Sequence, residues 1–407
     1  VQPQAHFDSV NGEKRLQALY GVSVLAAFGD FDRAELAAAA ALVNYIELTQ
    51  KGRLPRLSHP RRMTLNQVME IDAATRRNLE LTVTLNGERK GSLLSVIDRT
   101  LSGSGARLLA SHLAAPLRDP AMLDERFDMV QFFVDGVRTS MDVRGVLKLC
   151  PDIERALSRL SLGRGGPRDM GLIRDGLQLG MNLRSHLEDN STINMPKGIV
   201  SAIKGLGQHS DIIKLLSRAL AADLPFHARD GGFIAQGFVD ELDGVRSLRD
   251  ESRRLIARFQ SRYVEETGVS NLKVKHNNLL GYFVEVPAKQ AENIPSGPED
   301  IFIHRQTMAN AIRFSTVELS ELEHKIAHAA DEALAIELAL FDDLRSKIMA
   351  QLEKIALVAE SLACLDVASA LADLARERNY VRPKIDDSTA FNVIGARHPV
   401  VEAALIE

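Results

Sequence analysis

Apolar side chains recur at three- and four-residue intervals along most of this chain, the spacing of helices with one buried face. Over 35–49, Leu36, Ala39, Ala40, Val43 and Ile46 share a face, Gln50-Lys51-Gly52 ends the helix, and Pro55 and Pro60 mark a linker. From 63 to 220 the reading stays helical. Leu93, Leu94, Ile97 and Leu101 are followed by Leu108, Leu109 and Leu113, then by Leu123, Phe127, Val130 and Val134, with Pro116 and Pro120 as punctuation and 163–167 as a loop. Over 238–266 one long helix is expected, its stripe being Phe238, Leu242, Val245, Leu248, Leu255, Phe259 and Tyr263, with Gly268 as its stop.

The period then changes from near four to two. Asn271-Leu272-Lys273-Val274-Lys275-His276 alternates apolar and polar residues, as a strand with one wet face does. Asn277-Asn278-Leu279-Leu280-Gly281 supplies turn chemistry, and Tyr282-Phe283-Val284-Glu285-Val286 reads as the return strand. A Pro-containing loop at 294–298 leads to a third strand candidate at 301–305. Between Pro298 and Pro383 there is neither Gly nor Pro, and Leu319, Leu322, Ile326, Ala330, Leu334, Leu338, Phe341, Leu344 and Ile348 hold a helical stripe. About 30 such residues span about 45 Å. The pattern predicts a mainly α fold: a helical core, two long lever helices, and a small β-rich module inserted between them.

Composition narrows the class. The 407 residues are 45% apolar and 26% charged, enough for a large core and for two to four domains. No run of 18 uncharged apolar residues occurs, so no membrane span or membrane partner is expected. The start, Val1-Gln2-Pro3-Gln4-Ala5-His6, has neither a basic nor an apolar stretch and is no signal peptide. Only Cys150 and Cys364 occur, which fits a reducing cytoplasm and builds neither a disulfide framework nor a cysteine zinc site. The formal charge of −4 excludes a uniformly basic nucleic-acid coat but not a local patch, because counterion release depends on the phosphates contacted.

Chemistry concentrates in the β-rich module. Lys273 and Lys275 lie two apart on a strand, hence on one face, with His276, Asn277 and Asn278 at the turn; Arg305, Gln306, Thr307, Asn310 and Arg313 add cations and amides. Such side chains suit phosphate oxygens, which fix position without reading sequence. Between Ser270 and Phe314 five basic residues face four acidic ones, so the residues alone leave a DNA-contacting face and an ordinary solvated strand both open. Gly103-Ser104-Gly105 follows a helix and lacks a third glycine in register, so a structural turn is expected rather than a dinucleotide loop. His324 and His328 are four apart, but without a Glu after His324 or a third ligand they predict no metal site. Arg168-Asp169 reads as an ion pair or helix cap, and no nucleophile with its base is found.

Six segments together resemble the MutS family of DNA mismatch-repair proteins. Asp72-Ala73-Ala74-Thr75-Arg76-Arg77-Asn78-Leu79-Glu80-Leu81 is similar to the opening of the family's core domain. Ile97-Asp98-Arg99-Thr100 with Arg107-Leu108-Leu109, and Pro167-Arg168-Asp169, resemble later core elements. Gly281-Tyr282-Phe283-Val284-Glu285-Val286 and Arg305-Gln306-Thr307 resemble the clamp, though Ala309 stands where some members carry Lys. Gly395-Ala396-Arg397-His398-Pro399-Val400-Val401-Glu402 resembles the strand entering the ATPase domain.

The resemblance implies an internal piece of a longer protein: the end of a connector domain (1–60), core and lever (61–265), clamp (266–316), lever and core again (317–388), and the start of an ATPase domain (389–407). It implies contact with double-stranded DNA, mismatched in the parent, a second MutS subunit forming a ring around it, and a MutL-type partner. It implies ATP and Mg in the parent only, since no Gly-Lys dipeptide exists here to end a phosphate loop. No catalytic residue, cofactor site or metal site is expected in this stretch. Phe283-Val284-Glu285 imitates the family's Phe-x-Glu mismatch reader but falls within the clamp hairpin. Two alternatives remain: a helical interaction scaffold without DNA contact, and the paralogue branch that is an ATPase without mismatch repair and lacks the clamp.

Overall fold

Short acidic or hydroxyl side chains open most of the helices, because their oxygens satisfy backbone N–H groups that have no partner in the first turn. Asp32 does so for the helix beginning at Arg33, in a reciprocal box with Glu35; Asp72, Ser92, Ser102, Asp119 and Asp152 do so further along. The computed structural model describes residues 4–406 except 53, 56, 58, 61–67, 190–194, 278 and 296–300. Among them the helices are α1 Ser9–Tyr20, α2 Arg33–Thr49, α3 Ala73–Asn78, α4 Leu93–Ile97, α5 Gly103–Ala114, α6 Pro120–Asp135, α7 Val137–Leu147, α8 Ile153–Ser161, α9 Pro167–Asp189, α10 Lys197–Leu206, α11 Ser210–Ala219 and α12 Asp240–Thr267. Four strands follow, β1 Lys273–Asn277, β2 Gly281–Pro287, β3 Ile303–Thr307 and β4 Ala311–Ser315, then α13 Val317–Met349, α14 Leu352–Arg378 and α15 Pro399–Ile406. The fold is mainly α with a small four-stranded antiparallel module, as the change of period predicts.

The chain divides into two compact units, residues 1–217 with 345–407, and residues 218–344. In the first, α14 is the central element, packed against α5, α6, α7, α8, α9 and α10. It is apolar on nearly every side; Ile355, Val358, Leu362, Leu365 and Ala370 are buried, each large side chain contributing about 1.5–3 kcal/mol. By length and composition α14 could cross a membrane, but 72% of its most apolar window is buried inside this unit, which makes it a core helix. One charged residue interrupts that core. The fully buried Asp366 accepts hydrogen bonds from Leu101 N (3.0 Å), Ser102 N (2.8 Å) and Ser102 Oγ (2.6 Å), so α14 holds the start of α5. Gly105 is a glycine because a Cβ there would strike the Asp366 carboxylate.

Asp169 is also buried, but it pairs with Arg159 and accepts from Gly166 N (3.0 Å), so the expected ion pair forms with a residue on α8. The expected turn at Gly103-Ser104-Gly105 is the first turn of α5. Helix α1 is not anticipated by the sequence reading, since Ser9-Val10-Asn11-Gly12 is a weak helix former. Packing decides it: Gly12 lies so close to α2 that a Cβ would sit 2.9 Å from Ala40 Cβ. At the other end, the strand expected over 395–402 is corrected. Residues 399–406 form α15, begun by Pro399 at a helix start, where its missing N–H costs nothing, and by Glu402 N donating to His398 O (2.8 Å). A lone extended segment has no sheet partner among the described residues, whereas a helix satisfies its own backbone.

The second unit holds the sheet, in the order β1-β2-β4-β3. Its core is Tyr263, Val269, Leu272, Val284, Val286, Ile294, Phe302, Phe314 and Leu319, drawn from the end of α12, the sheet and the start of α13. Tyr263 lies fully buried and its hydroxyl meets Thr316 Oγ1 at 2.9 Å. Further along, Glu337 of α13 is buried, pairs with Arg246 of α12 and accepts from Gly232 N (2.6 Å), tying the two helices to the Gly231-Gly232 turn. The third strand lies two residues beyond its expected place, and β4 is an addition to the sequence reading.

Candidate nucleic-acid interface

Register determines what each side of the sheet offers. Lys273 lies opposite Glu285, Glu285 opposite Arg313, and Arg313 opposite Gln306, so all four share one face. Lys275 lies opposite Phe283 on that same face. The alternate residues Val274, Val284 and Phe314 turn to the other side, into the core around Tyr263. The outward face therefore gathers three cations from two strands, with one carboxylate among them.

That carboxylate binds two of the three. Lys275 Nζ lies 2.6 Å from Glu285 Oε1, and Arg313 Nε lies 3.0 Å from Glu285 Oε2. Arg313 also donates Nη1 to Gln306 Oε1 at 3.0 Å and lies with its guanidinium 4.7 Å above the Phe283 ring. The hydrogen bond from Lys275, then that from Arg313, holds the Glu285 carboxyl below the usual carboxylate range, against the opposing effect of burial. Glu285 is thus ionised at neutral pH, and the four groups carry a formal charge of +2 (three cations less one carboxylate).

The other expected contact residues do not all join this face. Lys273 is exposed on it. Arg305 is exposed at a β-bulge between His304 and Gln306, where the extra residue is released from pairing and its side chain is re-aimed. Thr307 Oγ1 lies 2.9 Å from His304 Nε2, and Asn310 is exposed in the β3–β4 turn. His276 belongs to the opposite side: its ring lies 4.8 Å from that of Tyr282, and its Nε2 is 3.9 Å from Glu323 Oε1. Asn277 is a turn former, its Oδ1 accepting from Leu279 N (3.0 Å) and Leu280 N (2.7 Å). Asn278 lies outside the described residues.

The turn after β1 is also not the far tip of the module. Tyr282 N donates to Glu323 of α13 at 3.2 Å, and a Cβ on Gly281 (φ +67°) would strike that carboxylate. The β3–β4 turn, with Asn310, lies at the opposite end of the sheet, because β2 pairs antiparallel with β4. The expected residues therefore separate into a charged face (Lys273, Lys275, Gln306, Arg313), a far end (Thr307, Asn310, with Arg305 nearby), and a near corner (His276, Asn277). Glu285 is a charged member of this face that is not among the residues expected from the sequence. Its signal was present: the turn at Asn277–Gly281 sets the register that brings Glu285 opposite Lys273.

Elsewhere the chemistry is quiet. Burial pushes the Cys150 thiol up to about 12 and raises that of Cys364, so both stay protonated and unreactive. Phe283 is 2% exposed beneath Arg313, which removes it as a wedge beside a base. Among the described residues no three His, Cys, Asp or Glu side chains gather around a point that could hold a metal ion.

Residues 74–372 match the family model described as MutS domain III, and residues 1–61 match MutS domain II. The DNA mismatch repair protein MutS of Roseobacter denitrificans is 50% identical over 403 residues, which is 99% of this chain and 46% of that protein. The proteins of the same name from Cereibacter sphaeroides and Rhizobium meliloti are 49% and 48% identical, each over 99% of this chain and 46% and 44% of their own lengths. The chain belongs to the MutS family of DNA mismatch-repair proteins. It spans a little under half the length of these relatives.

Proposed function

We propose that this chain supplies the sequence-independent grip on duplex DNA in a mismatch-repair protein. The outward face of the β1–β4 sheet would touch phosphates, and the long helices α12 and α13 would couple that grip to an ATPase. The observation that supports it most is the gathering of Lys273, Lys275 and Arg313 on one face of a sheet whose other face supplies Val274, Val284 and Phe314 to the core. Cations and amides of this kind satisfy phosphate oxygens and carry no base code. In this reading residues 1–60 close a connector domain, 61–265 and 317–388 form core and lever, 266–316 form the clamp, and 389–407 lead toward the ATPase. Double-stranded DNA, a second subunit and a MutL-type protein are the partners, and the cytoplasm is the compartment.

Weak, salt-sensitive binding to duplex DNA with less than about a tenfold preference for a G·T mismatch is the expected result, since a phosphate grip cannot see the mispair. Fluorescence anisotropy on matched and mismatched duplexes across a salt series measures it. A larger preference would point to a reader within this stretch. The rival reading, a helical interaction scaffold, draws on the overall charge of −4 and predicts no salt-dependent binding.

Nucleotide chemistry does not fit the residues present. No Gly-Lys dipeptide occurs, and the glycine-rich start of α5 already has the Asp366 carboxylate against it, which repels a phosphate. Phosphate-release assays on this chain should therefore give no turnover above a protein-free blank. Turnover that survives repurification would overturn that expectation.

A further inference from the structure

We propose that Glu285 is a built-in competitor for DNA, its carboxylate standing where a phosphate would otherwise bind between Lys275 and Arg313. The inference rests on the reading of the sheet face as the DNA grip and adds what limits its strength. Three features support it. The carboxylate uses one oxygen for each cation, 2.6 Å to Lys275 Nζ and 3.0 Å to Arg313 Nε, an arrangement a phosphate could also satisfy. The cations are presented independently of it, Lys275 by β1 and Arg313 by its seat over Phe283 and its bond to Gln306. The Lys275 side chain is also half exposed, so it can turn to a phosphate while Glu285 and Arg313, each 19% exposed, stay in place on the outward face.

A phosphate that reaches these cations must therefore displace Glu285 or bind beside its negative charge. Either way the grip is weaker than its basic residues alone would make it. That suits a protein that must let go of undamaged duplex: the face holds DNA loosely by default, with two of its cations already engaged.

The test is the Glu285→Gln variant of the whole chain. Gln keeps the shape and an acceptor oxygen but removes the charge. At low salt, duplex affinity should rise about three- to tenfold, the range expected for deleting one charge about 7 Å from a phosphate at a well-solvated site with an effective dielectric of about 35–80. The slope of log affinity against log salt should steepen by up to about 0.9 if one more phosphate is engaged. Introducing Lys275→Gln should cost more affinity in the Glu285→Gln background than in the wild type, because there Lys275 no longer shares its charge between Glu285 and DNA. A merely structural role would leave both slope and coupling unmoved. Should Glu285→Gln fail to fold by circular dichroism, Glu285→Asp, whose shorter side chain cannot reach both cations, should show a smaller gain in the same direction. Unchanged or weaker binding by the charge-removing variant, with Lys275→Gln still weakening the wild type, would overturn this proposal and leave the grip reading standing. If Lys275→Gln also changes nothing, the grip reading falls together with the competitor.

Discussion

Replacing Asp366 with Ala should destabilise the unit built around α14 by about 3–5 kcal/mol. The substitution removes one carboxylate but strands the N–H groups of Leu101 and Ser102 and the Ser102 hydroxyl, and each buried orphan costs about 1–3 kcal/mol. It also leaves a gap beside Gly105, where the carboxylate now packs. Urea or thermal unfolding followed by circular dichroism measures the loss; a change below about 1 kcal/mol would mean that water or repacking satisfies those donors.

The same residue has a pH signature with a definite sign. Burial raises the Asp366 carboxyl above its ordinary 3.8, against the bonds from Ser102 and Leu101 that lower it. A raised carboxyl means that the folded state holds the proton more tightly than the unfolded one. Its contribution to stability is therefore full below 3.8 and is lost as pH rises through the folded value. Compared with Asp366→Asn, which does not titrate, the wild type should lose relative stability as pH rises from about 4 toward 7. A relative gain over that range would reverse the sign.

The parts of this fold legible in the sequence are those where one period runs far. The stripe from Leu319 to Ile348 predicts α13, and the switch to alternation at Leu272 predicts a strand pair. Less legible were elements fixed by contact. Helix α1 depends on Gly12 pressed against Ala40, and β4 on pairing with β2 across 28 residues between Glu285 and Arg313, which short-range pattern does not reach. The segment at 395–402 resembles a strand, but among the described residues it has no neighbouring strand, and its second half is the first turn of α15.

At the candidate interface the cations themselves were legible and their company was not. Two-residue spacing put Lys273 and Lys275 together, yet only the register showed that Glu285 neutralises one charge among them. Counting residues gives an excess of one base over the module, whereas the face itself carries +2, because among the described residues only one of the module's acids, Glu285, stands in register with its three cations. The bulge that turns Arg305 out of the ladder has no sequence signature, whereas Asp366 has one: a single acid inside the apolar run from Leu362 to Ala368.

The most direct test of the grip is the salt dependence of duplex binding in a variant with Lys273, Lys275 and Arg305 all changed to Ala. Lys273 and Lys275 project from the wet face and Arg305 from the bulge, so the substitutions remove charge without opening the core around Tyr263 and Phe314. Each lost phosphate contact should reduce the slope of log affinity against log salt by about 0.9, so three contacts predict a slope flatter by about 2–3, with the helical circular dichroism unchanged. A folded triple variant that binds duplex DNA with the wild-type slope would place the grip elsewhere and contradict the account.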